Sequence, residues 1–224
     1  MTDQKGEEVP AKPKRSLILA IAGSARKQGN SATLLTQVLD KLRGEFRTEL
    51  VFLTDLNIQP CDGCHHCETQ SSCRIEDDMS TLHPKLLDAG AILLASPVYM
   101  GGIASRMQAF MERTWPLRKG QLRGKIASYI VTGRRRIGMA TGVMEEYFTR
   151  LGVTKLPGVL GFAFEPGEVE QDREAVAQAE RLAADCGHHL NLMAGTQGEG
   201  SQPQAAVDKR RGTGPRVVSS VQKE

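Results

Sequence analysis

The chain has 224 residues, a formal net charge of +3, 40% hydrophobic and 25% charged residues, which suits one globular domain with extensions. So small a charge gives no argument for nucleic acid, and 4% aromatic content offers no base-stacking surface. No apolar run reaches the roughly 18 residues of a membrane span.

Residues 1–15 are polar, contain Pro10 and Pro13, and lack the apolar centre of a signal peptide. They read as a disordered lead-in, and a cytoplasmic, reducing setting is expected. Ser16–Ala22 is a continuous apolar run, as a parallel strand buried on both faces would be. The polar turn from Gly23 to Ser31 follows. A helix then starts near Ser31, with Leu34, Leu35, Val38, Leu39 and Leu42 on one stripe.

Glu49–Leu53 is a second strand, and after a cysteine-rich loop over 58–79 the pair Asp77-Asp78 opens a helix running to about Asp88. The two aspartates are expected to cap it. Ala91–Ala95 is a third strand, ending in the loop Ser96-Pro-Val-Tyr-Met-Gly-Gly102. A helix carrying Met107, Phe110 and Met111 runs on to Trp115, where Pro116 stops it. Ile126–Val131 is a fourth strand, ending in Thr132-Gly133. A helix over about 139–151 turns Met144, Phe148 and Leu151 inward, with Gly152 beyond its end.

Val159–Phe164 is the fifth strand, and residues 170–192 form a last helix whose apolar face includes Cys186. Five strands alternating with helices predict a doubly wound parallel α/β sheet with helices on both faces. The domain is placed at 16–193, and the Gly-, Ser- and Gln-rich stretch 194–224 reads as a disordered tail.

Four of the five cysteines lie in one segment, Cys61, Cys64, Cys67 and Cys73, spaced C-x2-C-x2-C-x5-C. Thiolates at that spacing suit an iron–sulfur cluster, and the long last gap without a following proline lets Cys73 return to the same centre. Zinc, a mixed set with His65 or His66, and a redox pair of thiols stay open. Disulfides are disfavoured by the odd cysteine number and the reducing setting.

Ligands of a doubly wound sheet collect beyond the carboxyl ends of the strands. At the first such end, Ser24, Arg26, Asn30, Ser31 and the free amides of the following helix suit a phosphate. The turn is neither a Walker loop nor G-x-G-x-x-G. A terminal phosphomonoester such as that of FMN fits it best. At the next end, Pro97 to Gly101 could pack a flavin edge and offer amides to its rim.

These segments together resemble the flavodoxin-like NADPH-dependent FMN reductase family, and within it the iron–sulfur flavoproteins. The resemblance covers about residues 16–190 and rests on three stretches: Gly23-Ser-Ala-Arg-x-x-Gly-Asn-Ser31; Ile58-x-Pro-Cys61 through Cys73-x-x-x-Asp77-Asp-Met79; and Ser96-Pro-Val-Tyr99. It implies a flavodoxin-like five-stranded fold, with FMN phosphate on Ser24, Arg26, Asn30 and Ser31. It also implies the flavin ring on Pro97, Val98, Tyr99, Met100 and Gly101, with Thr132 and Gly133 beside it. A [4Fe–4S] cluster on Cys61, Cys64, Cys67 and Cys73 and a homodimer or homotetramer complete the picture.

The function expected is an oxidoreductase passing electrons from a ferredoxin-like donor or NAD(P)H, through cluster and FMN, to a small acceptor such as a quinone, oxygen or peroxide. A cluster-free NAD(P)H-dependent FMN or quinone reductase and a zinc-stapled binding module are the alternatives. The chain departs from the family at Arg134-Arg-Arg136, where a glycine-rich flavin contact is usual, and at Gln108 and Glu112-Arg113. The arginine run reads as a solvated loop, or else as a receiver for the NADPH 2′-phosphate or an acidic partner.

Overall fold

A computed structural model of the chain describes residues 15–70 and 72–196. The expected disordered lead-in, but for Arg15, and most of the expected tail lie outside the described residues. Strand β1 (Leu17–Ala22) sits at the centre of the sheet, between β2 (Arg47–Phe52) and β3 (Ala89–Tyr99), and β5 (Ile126–Gly133) lies beyond β3. All of these pairings are parallel. Two short edge strands, β6 (Thr154–Lys155) and β7 (Val159–Phe162), both run parallel to β5. The order β2-β1-β3-β5-β7 is the flavodoxin-like one, which reverses direction between β1 and β3.

The period of two along β1 splits its side chains between two cores. Ile18, Ala20 and Ala22 join the core under helix α1 (Asn30–Leu42) and helix α6 (Arg173–Thr196). Leu17, Leu19 and Ile21 join the core under α3 (Met79–Asp88), α4 (Ser105–Arg113) and α5 (Gly138–Leu151). A strand apolar at every position is therefore needed, and every residue of β1 is buried. Among the described residues no helix is long and apolar enough to cross a membrane.

The third strand, the last helix and the fifth strand differ from the expectation. The third strand runs on through Ser96-Pro97 to Tyr99, because Pro97 still has a register partner in Thr132. It then folds back through a two-residue turn onto β4 (Gly102–Ile103), the antiparallel member. Met100 and Gly101 form that turn with φ of 50° and 87°, the type I′ geometry of tight hairpins. The last helix continues to Thr196, past the boundary set at 193.

The fifth strand is split. Ser128 and Tyr129 of β5 face the three residues Leu156-Pro157-Gly158, so the edge bulges. Pro157 has no N–H to offer, and its carbonyl instead accepts from Ser128 Oγ at 2.8 Å. A Cβ at Gly158 would stand 2.3 Å from the Tyr129 ring, which is buried and stacks on Phe148 with centroids 6.5 Å apart. Gly158→Ala is expected to cost about 1–3 kcal/mol through forced displacement of that ring. Gly142→Ala, in the interior of α5 with open space around it, should stabilise by about 0.4–1 kcal/mol. Thermal midpoints moving in opposite directions would check the pair.

Candidate functional site

The carboxyl ends of β1, β3, β5 and β7 surround a cleft of about 220 Å³. Its walls include Ser24, Arg26, Asn30, Ser31, Pro97, Val98, Tyr99, Thr132 and Gly133. Met100 and Gly101 stand outside it: they are the hairpin turn, with the Met100 side chain in solvent. Gly29, Arg134, Ala163 and Phe164 also line the cleft and were absent from the sequence-based set. Ala163 and Phe164 could have been found by applying the strand-end rule to the fifth strand as well.

Each wall has a local cause. Ser24 Oγ accepts from Arg26 N–H at 3.0 Å and donates to the Arg26 carbonyl at 2.9 Å, closing a small turn that folds the backbone over itself. Gly29 precedes α1, and the first helical bond is donated by Thr33 N–H to the Gly29 carbonyl. The amides of Asn30, Ser31 and Ala32 thus have no partner within the helix, and no side chain caps them.

Ser31 is 1% exposed, and its Oγ has no hydrogen-bond partner among the described residues. A buried hydroxyl beside free amides at a helix start has the donor chemistry of an anion cradle. Asn30, by contrast, spends its carboxamide on structure. Its Nδ2 donates to the Glu165 carbonyl at 2.9 Å, and its Oδ1 accepts from Val169 N–H at 3.4 Å. That pair ties the loop after β7 to the start of α1. Glu168 pins the same loop by accepting from the amides of Phe164 and Glu165, bonds that hold its carboxyl below the ordinary value.

On the opposite wall, Ser96 Oγ accepts from Ala104 N–H at 2.9 Å and fixes the hairpin that carries Tyr99. Arg134 stacks its guanidinium on Phe164, 5.1 Å from the ring centroid.

The cysteine loop is held elsewhere, against α4. Arg113 is 1% exposed and meets Asp77 twice, Nη1 to Oδ2 at 2.6 Å and Nη2 to Oδ1 at 3.0 Å. It also donates to the carbonyls of Gln59 at 2.8 Å and Ile75 at 3.2 Å. Asp77 accepts from the amides of Gln59 and Met79, so both ends of the loop are clasped by one ion pair. Asp77 thus accepts from the first amide of α3, while Asp78, which stands at the N-cap, makes no side-chain cap bond; the larger engagement of Asp77 is with Arg113. Asp78 accepts from Asn57 N–H at 2.7 Å.

The middle of the loop forms a short helix, α2 (His66–Gln70), which the sequence reading did not anticipate. Glu68 on it accepts from Trp115 Nε1 at 3.0 Å and pairs with Arg118, which stacks 4.5 Å from the Trp115 ring centroid. Trp115 thus belongs to this contact and not to the cleft.

Cys61 and Cys64 are exposed, and Cys67 and Cys73 are half-buried. Among the described residues no group of three or more His, Cys, Asp or Glu is arranged to hold a metal ion. The four thiols predicted as ligands are brought onto one loop but not to one centre. The donor set nonetheless has the chemistry of a thiolate metal centre. Guanidinium charge lies close to it, with Arg74 near Cys64, Arg113 near Cys73 and Arg118 near Cys67. Cys186 is a buried small hydrophobe of α6, and burial pushes its thiol up to about 12.

Comparison with known proteins agrees with this geometry. Residues 16–165 match the family described as NADPH-dependent FMN reductase. An iron–sulfur flavoprotein of Methanocaldococcus jannaschii is 37% identical over 123 residues, which are 54% of this chain and 64% of that protein. An iron–sulfur flavoprotein of Archaeoglobus fulgidus is 30% identical over 167 residues, 71% of this chain and 75% of that one. The chain therefore spans less than two thirds of the first relative's length.

Among solved structures, a flavodoxin from the domain Archaea superposes with a TM-score of 0.54 at 15% identity, covering 78% of this chain and 98% of that one. The cleft sits at the same kind of strand-order reversal where flavodoxin-like sheets take their ligand. With the family match spanning β1 through the loop after β7, the chain belongs to the NADPH-dependent FMN reductase family.

Proposed function

We propose that the protein is an FMN-dependent oxidoreductase that passes electrons from NAD(P)H or a ferredoxin-like donor to a small acceptor such as a quinone, oxygen or peroxide. The observation that carries this reading is the buried, unpartnered Ser31 hydroxyl beside the free first-turn amides of α1, within a cleft at the strand-order reversal. FMN, when bound, supplies both the one-electron and the two-electron chemistry.

The chain's own residues bind and orient. Ser31 Oγ, Ser24 and the amides of residues 30–32 take the phosphate, with Arg26 adding charge at the mouth. Pro97, Val98 and Tyr99 stand beside Thr132 and Gly133 on adjacent strand ends and line the space for the ring, with Phe164 at its outer side. Asn30 positions the Phe164 loop.

Cys61, Cys64, Cys67 and Cys73 would hold a [4Fe–4S] cluster. The names of the archaeal relatives and the guanidinium groups around the loop support this. Among the described residues none of 58–79 lines the cleft, so a homodimer or homotetramer would bring the loop of one copy toward the cleft of another. The second reading is a cluster-free NAD(P)H-dependent reductase, in line with the family match and with a Bacillus subtilis relative named as a putative NAD(P)H-dependent FMN-containing oxidoreductase.

The visible spectrum of anaerobically purified protein, with iron and acid-labile sulfide counted, separates the two. Flavin bands over a broad shoulder bleached by dithionite, with about four irons per chain, are expected. Cys64→Ser should lose the iron and keep the FMN. Clean flavin peaks without iron would move the assignment to the reductase, and failure to take up FMN at all would sink both.

A further inference from the structure

A second cavity, of about 370 Å³, lies between the end of α4 and the end of α5 and shares no lining residue with the cleft. Its apolar walls are the buried Met111 and Leu151 and two aromatic rings, Trp115 and Tyr147. Each ring is fixed by its polar end. Trp115 Nε1 donates to Glu68 at 3.0 Å, and the Arg118 guanidinium covers the indole 4.5 Å from its centroid. Thr114 Oγ1 donates to the Met111 carbonyl at 2.7 Å, which leaves the Tyr147 hydroxyl to donate to Thr114 at 3.0 Å. Trp115 is the only tryptophan in the chain and, so held, stays 43% exposed. A rigid aromatic left bare in a concavity of this size suits a flat apolar ligand.

The rest of the lining decides the charge of that ligand. Arg118, Lys119 and Arg150 stand on it, and among the described residues no carboxylate does. Two carboxylates lie outside it, Glu68 paired with Arg118 and Glu146 paired with Arg150. The second pair is open to water on both sides, with side chains 64% and 60% exposed, so it holds Arg150 weakly. Lys119 donates to the Glu68 carbonyl at 3.1 Å and feels the Glu68 carboxylate, which it shares with Arg118. Three cations thus share two carboxylates, and the rim keeps a net positive charge.

We propose that this cavity binds a planar aromatic carboxylate, its ring against Trp115, Tyr147 and Leu151 and its carboxylate toward Lys119 and Arg150. A small anion gains nothing from the apolar walls, and a neutral ring leaves the cations to water. A molecule carrying both parts satisfies both. Nothing in this site depends on which cofactors the chain takes. Trp115, Arg118 and Lys119 also hold Glu68 of α2, so an occupant stands beside the cysteine loop.

Titration of the purified full chain, labelled with ¹⁵N, with 2-naphthoate, 2-naphthalenemethanol and acetate tests this. Calorimetry gives the affinities, and the single indole N–H resonance of Trp115 reports the place. Naphthoate should shift that resonance and bind about tenfold more tightly than the neutral alcohol, while acetate leaves it in position. Lys119→Gln/Arg150→Gln should bring naphthoate down to the affinity of the alcohol, with the thermal midpoint unchanged. A resonance that does not move, equal binding of acid and alcohol, or an acid preference that survives the double variant would each overturn the proposal. So would a wild type closed to naphthoate whose oligomeric state changes in the double variant, which would give this face to a second copy of the chain.

Discussion

Arg113→Met should lower the thermal midpoint by roughly 10 °C, the largest stability effect of any single substitution proposed for this chain. Removing one partner of a buried ion pair costs about 3–5 kcal/mol, and a domain of this size shifts about 2–4 °C per kcal/mol. The side chains of Arg113 and Asp77 are 1% and 0% exposed, so solvent cannot compensate an orphaned Asp77. The carbonyls of Gln59 and Ile75 lose their donor as well.

The damage should be local as well as global. Both ends of residues 59–77 are clasped to α4 chiefly by this guanidinium, with Glu112 accepting from the Cys61 amide as a weaker tie, and limited proteolysis should cut the variant between them first. Arg113→Met/Asp77→Leu should recover only part of the loss. It removes the stranded charge but also takes the acceptor from the amides of Gln59 and Met79.

The pH dependence gives the same interaction a signature of its own. Burial opposes ionisation of Asp77, but the Arg113 guanidinium and the Gln59 and Met79 amides outweigh it and hold the carboxyl below its ordinary value of 3.8. A depressed carboxylate contributes stability that is fully present above the unfolded pKa and is lost as pH falls through the folded one. Wild type should therefore begin to lose this contribution only below about pH 4. In Arg113→Met the burial remains and the cation is gone, so the Asp77 pKa rises above its unfolded value. That variant should lose stability as pH rises from 4 toward 7, the reverse slope. Identical slopes for the two proteins would show that the ion pair does not govern the loop. Burial keeps the neighbouring His83 below its ordinary value and neutral near pH 7, its Nε2–H donating to the Arg113 carbonyl at 2.9 Å.

What could be read from the chain follows from where its physics is local. The apolar run Leu17–Ala22 announces a strand covered on both faces without any knowledge of its neighbours. Gly152 marks the end of α5 by itself, in the left-handed conformation at φ 68°. The cleft walls were legible because the rule is topological: ligands gather where strands end, and Ser24, Ser31, Pro97 and Thr132 stand at such ends.

The clasp was not legible, because it joins positions 36 residues apart and nothing near Asp77 calls for Arg113. One clue was present. Arg113 stands three residues after Phe110 on the apolar stripe of α4, where a charge must either snorkel out or find a buried partner. The split edge strand was hidden for the opposite reason: Pro157-Gly158 reads as an ordinary turn until the Tyr129 ring is seen beneath it. Asn30 shows the limit of motif reading. It occupies the expected place in the phosphate turn, yet both ends of its carboxamide are engaged by the Glu165–Val169 loop.

Ser31 yields the sharpest functional expectation, because stability and binding should move apart. Its Oγ is buried without a partner among the described residues, so it pays a desolvation cost that no interaction in the protein returns. Ser31→Ala removes that cost and should leave the thermal midpoint of the flavin-free protein unchanged or slightly higher. The same change removes a hydrogen bond to a charged phosphate, worth about 1.5–3 kcal/mol, and should weaken FMN binding by about 10- to 150-fold. Ser31→Asp places a carboxylate where the dianion must sit, and repulsion at that distance should abolish binding and give protein without flavin bands. Flavin fluorescence quenching on titration with FMN reads both variants. Were the hydroxyl merely structural, Ser31→Ala would instead lower the midpoint and leave the FMN dissociation constant where it was. A split between the two readouts therefore assigns the hydroxyl to the ligand, and with it the uncapped start of α1 to the phosphate.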